Sequence, residues 1–152
     1  MKTMNKKGFT LIELLAVIAI LAILVVIAVP NVLNLFTGAK KNAFVTQAQS
    51  IYKAAQTTYV NDQFGTDRSN VYANVSLGTG SSSGKQIELQ GTTDVKYCVK
   101  FTGGAVTYIS VSNGSYRMTV IDNTSVSIDA LSESAVADFD EDATCSNAAT
   151  GD

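Results

Sequence analysis

The chain has 152 residues, with 13 acidic and 11 basic side chains, one Pro, and neither His nor Trp. Lacking imidazole, it lacks the commonest general base and zinc ligand, which lowers the expectation of catalysis without closing it. There is no basic stripe to neutralise phosphates, so no nucleic-acid partner is indicated, and the length leaves room for one domain with a modest core.

Lys2, Lys6 and Lys7 open the chain, and an apolar run from Phe9 to Val29 follows, in which Glu13 is the only charged residue. At about 1.5 Å per residue this run spans roughly 30 Å, the hydrocarbon thickness of a bilayer. Apolar residues occupy every side of the helix, and the lysines orient its N-terminal end toward the cytoplasm. An ordinary secretory signal peptide is the alternative. The run is long for that, Ile27-Ala28-Val29-Pro30 makes a poor cleavage site, and a carboxylate in lipid costs free energy that a plain signal has no evident use for.

The stretch Lys6-Lys7-Gly8-Phe9-Thr10-Leu11-Ile12-Glu13-Leu14-Leu15 closely resembles the signal of type IV prepilins of the N-methyl-Phe type. The resemblance implies that a prepilin peptidase removes residues 1–8 by cutting after Gly8, and that Phe9 becomes the N-methylated terminus. It implies a homo-polymer of this chain, raised from the membrane by an assembly platform and an ATPase motor. The chain itself has no phosphate-binding Gly-rich loop. Glu13 stands one helical turn from Phe9 and could pair with the amine of its own terminus or, as the family is thought to do, of a neighbour. A subunit out of register would leave both charges unmatched, so Glu13 would set register more than it adds stability.

Pro30 either ends the helix or bends one that continues, as in many pilins. Continuation is favoured because Phe44, Ala48, Ile51, Ala55 and Tyr59 keep helical spacing, with polar residues on the other faces. The expected organisation is a leader at 1–8, a transmembrane and polymerisation helix at 9–30 and its amphipathic second half at 31–61. Gly38 is a soft spot within it. A connector at 62–94 comes next, small and polar from Gly78 to Gly84, with one strand suggested at Gln86 to Leu89.

From Val95 the pattern alternates. Val95, Tyr97, Val99 and Phe101 face one way, and Lys96, Cys98 and Lys100 the other. Gly103-Gly104 turns into Val106–Ser112, Asn113-Gly114 is a strong hairpin signal before Tyr116, Met118 and Val120, and Asp122-Asn123-Thr124 precedes Val126 and Ile128. The expected fold class is α+β: a long N-terminal helix packed on a four-stranded antiparallel meander spanning 95–130, pilin-like. In the tail, 131–152, Leu131, Ala135 and Phe139 are spaced for a short helix.

Cys98 lies on the lysine face of its strand, away from the core side. A disulfide with Cys145 would tie the tail across the back of the sheet; pilins often have such a bridge near the C-terminus, commonly with shorter spacing. Two free thiols are the alternative. Asp138, Asp140 and Asp142 alternate as in the first part of a calcium loop, but Ala143 and Ala149 occupy the turn-glycine and bidentate-Glu positions. A solvated acidic tail is the plainer reading, and calcium is the only cofactor considered. No Ser or Cys has a His partner, so no nucleophile triad exists. The three Asn-x-Ser patterns, at Asn74, Asn113 and Asn123, are too short to weigh.

The expected function is that of a non-enzymatic structural subunit, a major pilin. It would be held in the cytoplasmic membrane as precursor and then built into an extracellular fibre supporting adhesion, twitching motility, aggregation or biofilm. The rivals are a pseudopilin of a type II secretion or DNA-uptake system and, from another class, a membrane-anchored extracellular binding domain.

Overall fold

The computed structural model describes residues 8–66, 68–75, 84–89 and 94–145; the leader up to Lys7 lies outside them. The chain divides into two compact units, Met1–Ala39 and Lys40–Asp152, each taken by itself below.

A single helix, α1 (Leu11–Phe64), contains Pro30 and ends three residues beyond the expected Asn61. Pro30 has no N–H to donate to the carbonyl four residues earlier, but the helix carries on through it. In the first unit the helix has no buried side chain; Leu11, Leu14, Ile18, Leu21 and Val25 are all exposed.

In the second unit α1 buries one stripe, Phe44, Ala48, Ile51, Tyr52 and Ala55, the i, i+4, i+7 pattern of a core-facing helix. The stripe packs on a five-stranded antiparallel sheet in sequential order: β1 (Val71–Ala73), β2 (Lys96–Thr102), β3 (Ala105–Ser112), β4 (Tyr116–Ile121) and β5 (Val136–Asp138). Gly103 and Gly104 turn β2 into β3 at φ 60° and 90°, values that disfavour any side chain. Asn113 directs the next hairpin by accepting the N–H groups of Ser115 and Tyr116, while Gly114 takes φ 77°. The β2–β3 register shifts at Lys100/Phe101, so that Thr107 is the extra residue on β3. This bulge allows Val106 and Ile109 both to face the core.

The core joins the helical stripe to Tyr97, Val99, Phe101, Ile109, Val111 and Met118. The other face of the sheet carries a small second cluster of Ala73, Cys98, Tyr108 and Cys145. Among the described residues, every buried side-chain nitrogen or oxygen has a hydrogen-bond partner.

The sheet has one strand more than expected, and its edges differ. β1 arises from the segment read as connector. Gln86–Leu89 is not a strand; this segment contributes only a parallel bridge from Lys85 to Tyr72, at the outer side of β1. Val126 and Ile128 do not form the fourth strand. Val126 makes one ladder-like bond, its N–H donating to the Val106 carbonyl at 2.6 Å, and the Ser127 hydroxyl then caps a 3-10 turn over Ile128–Ala130. Leu131, Ala135 and Phe139 share no helix either: Leu131 is buried in the core, and a second 3-10 turn at Glu133–Ala135 delivers Val136 to pair with Met118 as β5.

Candidate processing and assembly site

Gly8, Phe9 and Thr10 precede the helix in exposed, non-helical backbone. A Cβ on Gly8 would meet nothing within 4 Å, so packing within the chain gives no reason for glycine there. Phe9 is 88% exposed.

Thr10 and Glu13 form a reciprocal cap. The Thr10 N–H and hydroxyl both donate to Glu13 Oε2, at 2.8 and 2.9 Å, and the Glu13 N–H donates to Thr10 Oγ1 at 3.3 Å. This is the capping box of a Ser/Thr-x-x-Glu start, and it satisfies donors that every helix leaves unpaired in its first turn. The expected pairing between Glu13 and a free amine on Phe9 would require the bond before Phe9 to be cut; here the nitrogen of Phe9 is a peptide nitrogen. The role of Thr10 was readable from its spacing to Glu13 ahead of an apolar run.

On the back of the sheet the tail forms a strap. Cys98 and Cys145 are joined by a disulfide with Cα atoms 5.4 Å apart. Between β5 and Cys145, the Ala143 N–H donates to Ser112 Oγ at 2.7 Å and the Tyr108 hydroxyl donates to the Thr144 carbonyl at 2.7 Å. Arg117 pairs with Asp140 and Glu141 at 2.9 and 2.7 Å. The strap thus crosses β4, β3 and β2 in turn. Of the alternating carboxylates considered for calcium, Asp140 is held by Arg117 and Asp142 receives a long bond from Ser112. Among the described residues no group of three His, Cys, Asp or Glu side chains gathers as a metal site.

A further cluster escaped sequence reasoning. Asp62, near the end of α1, pairs with Lys85 at 2.6 Å and accepts the Tyr72 hydroxyl at 2.7 Å. The Lys85 and Tyr72 bonds hold its carboxyl below the usual carboxylate range. The three residues come from the helix, β1 and the segment alongside it, and no spacing in the sequence relates them. Tyr97 was read only as a core residue; its hydroxyl accepts the Ile87 N–H at 2.7 Å, and burial pushes its pKa up. Asn74 and Asn113, the starts of two Asn-x-Ser patterns, both use their side-chain oxygens to accept backbone N–H groups. Among the described residues, a shallow cleft beside Gln56, Thr57, Tyr59, Val60, Asn61, Phe101 and Gly104 is lined by no carboxylate, amine or thiol.

An exposed apolar helix with a polar, charged cap at its head, followed by a helix-on-sheet unit, is an α+β pilin-like architecture. By length and composition a window of α1 suffices to cross a membrane, and none of that window is buried. Residues 3–29 match the family model of the prokaryotic N-terminal methylation motif, and the chain thereby carries the signature of type IV prepilin-like proteins. Comparisons with curated proteins and with solved structures return no match.

Proposed function

We propose that this chain is the major structural subunit of an extracellular type IV pilus, cut after Gly8, N-methylated on Phe9 and polymerised with copies of itself. The observation that carries the reading is the Gly8–Phe9 junction set directly before a capped helix whose apolar side chains the rest of the unit leaves uncovered. Such side chains need lipid first and neighbouring helices afterwards, and a helical fibre built from heterologous contacts supplies the second. Pro30 marks where the helix would bend within that fibre. The prepilin peptidase and methylase, an assembly platform and an ATPase motor act on it from the membrane, and adhesion, surface motility or biofilm are the roles of such a fibre.

Mass spectrometry of the mature chain together with immunogold microscopy tests this. An N-methylated Phe9 on long surface fibres labelled for this chain is the expected result. The modified terminus without surface fibres would assign the chain to a secretion or DNA-uptake pseudopilus instead. An intact Met1 in the working product would leave a membrane-anchored domain that never polymerises.

A further inference from the structure

The apolar exposure of the first unit does not stop at Pro30. Val32, Leu33, Leu35 and Phe36 are 44%, 60%, 74% and 60% exposed. At 100° per residue they cover one arc of roughly 160°, with Asn31 and Asn34 on the opposite side. The pattern changes at this point: up to Val29 the helix is apolar all round, whereas from Asn31 to Phe36 it is amphipathic. From Phe9 to Phe36 the rise is about 40 Å, some 10 Å more than the hydrocarbon layer and close to the thickness of a bilayer with its headgroups. After Glu13 the next charged residues in the sequence are Lys40 and Lys41.

We propose that Asn31–Phe36 is a headgroup-level anchor in the extracytoplasmic leaflet, and that Lys40 and Lys41 give it a preference for anionic phospholipids. A one-sided apolar face ending in an aromatic ring suits the boundary where acyl chains meet headgroups. Two ammonium groups following that boundary are complementary to lipid phosphate, each worth roughly a fivefold preference at an anionic surface. The lysines of the leader mark the opposite leaflet, so the precursor is held at both faces and cleavage after Gly8 removes only the inner hold. The inference rests on the membrane-inserted reading of the precursor.

The protein has no Trp, so single-Trp variants report depth without background. Val25→Trp, Phe36→Trp and Phe64→Trp are placed in the full-length precursor and reconstituted into vesicles containing deep- or shallow-brominated phosphatidylcholine, or shallow-brominated phosphatidylglycerol. Val25→Trp should be quenched most by the deep bromines. Phe36→Trp should be quenched most by the shallow ones, with emission to the blue of Phe64→Trp, whose parent side chain is 89% exposed. Brominated phosphatidylglycerol should quench Phe36→Trp several times more than its share of the lipid predicts, and Lys40→Gln/Lys41→Gln should abolish that excess. If Phe36→Trp is unquenched while Val25→Trp is quenched, the anchor is wrong although the span is inserted. Blue-shifted emission that neither lipid quenches would put another copy of the chain on this face, which also overturns the proposal. No quenching of Val25→Trp would remove the membrane reading itself.

Discussion

Removing the Cys98–Cys145 bridge should destabilise the second unit strongly. The bridge closes a span of 47 residues, and loop-closure entropy assigns about 4 kcal/mol to a cross-link of that length. For a domain of this size the corresponding loss in Tm is roughly 15 °C. The native state should otherwise tolerate the change, because the strap keeps its bonds from Ala143 to Ser112 and from Tyr108 to Thr144, and the Arg117 pairs. The assay compares a soluble fragment starting near residue 35 with its Cys98→Ala/Cys145→Ala variant by calorimetry, and follows amide exchange at residues 139–145. The expected result is a large fall in Tm, with faster exchange concentrated in the strap. A fall of less than about 4 °C would refute the reasoning, since the unfolded chain would then gain little freedom from losing the link.

Three other outcomes are expected. Glu13→Gln should insert and fold normally yet lower fibre yield on the order of tenfold or more, scored by shearing fibres from cells and blotting membrane and sheared fractions. Asp62→Asn should cost about 1–2 kcal/mol at pH 7, because the Lys85 pair is partly screened by solvent. The folded pKa of Asp62 is depressed, so its contribution is complete above the ordinary carboxylate value near 4 and disappears as pH falls through the lower folded value. Melting curves at pH 7 and in strong acid should therefore show the gap between wild type and Asp62→Asn closing. Tyr97→Phe should cost about 1–3 kcal/mol in urea unfolding, because the buried Ile87 N–H loses its acceptor.

The parts of the fold legible in the sequence are those whose signals are local and long. The apolar span, the helical stripe from Phe44 to Ala55, and β2 to β4 with their Gly-Gly and Asn-Gly turns all depend on periodicity or on φ values that few residues accept. The edges of the sheet are three residues each, too short for alternation to show, and they exist because a neighbouring strand offers an unpaired ladder. Leu131, Ala135 and Phe139 have helical spacing, but Ser127 and the two 3-10 turns divide the segment before a helix can nucleate. Asp62, Tyr72 and Lys85 are joined only by tertiary structure. The placement of Cys98 on the back of β2 was legible because alternation assigns faces. The expected Cys98–Cys145 bridge also put the tail across that face; the contacts that residues 139–145 make along it were not legible.

The cap at the head of α1 also bears on why a carboxylate stands at position 13. A Gln at that position can accept the Thr10 N–H through its amide oxygen, so local helix formation needs an acceptor but not a charge. Nothing else within the described first unit supplies a cation, while lipid makes the charge unfavourable there. On the proposed reading, a partner for the charge comes from outside the described residues of the first unit. The proposed source is the amine that a cut before Phe9 would expose. With Phe9 in peptide linkage both Thr10 donors rest on Oε2; on the proposed reading the cut would add a positive partner, on the same chain or on a neighbour, competing for the same carboxylate with a charge-assisted bond. Under the proposed function, cleavage and pairing would be coupled through one side chain. A chain still carrying its leader would then have a satisfied helix start but would lack the Phe9 amine for Glu13 to pair with.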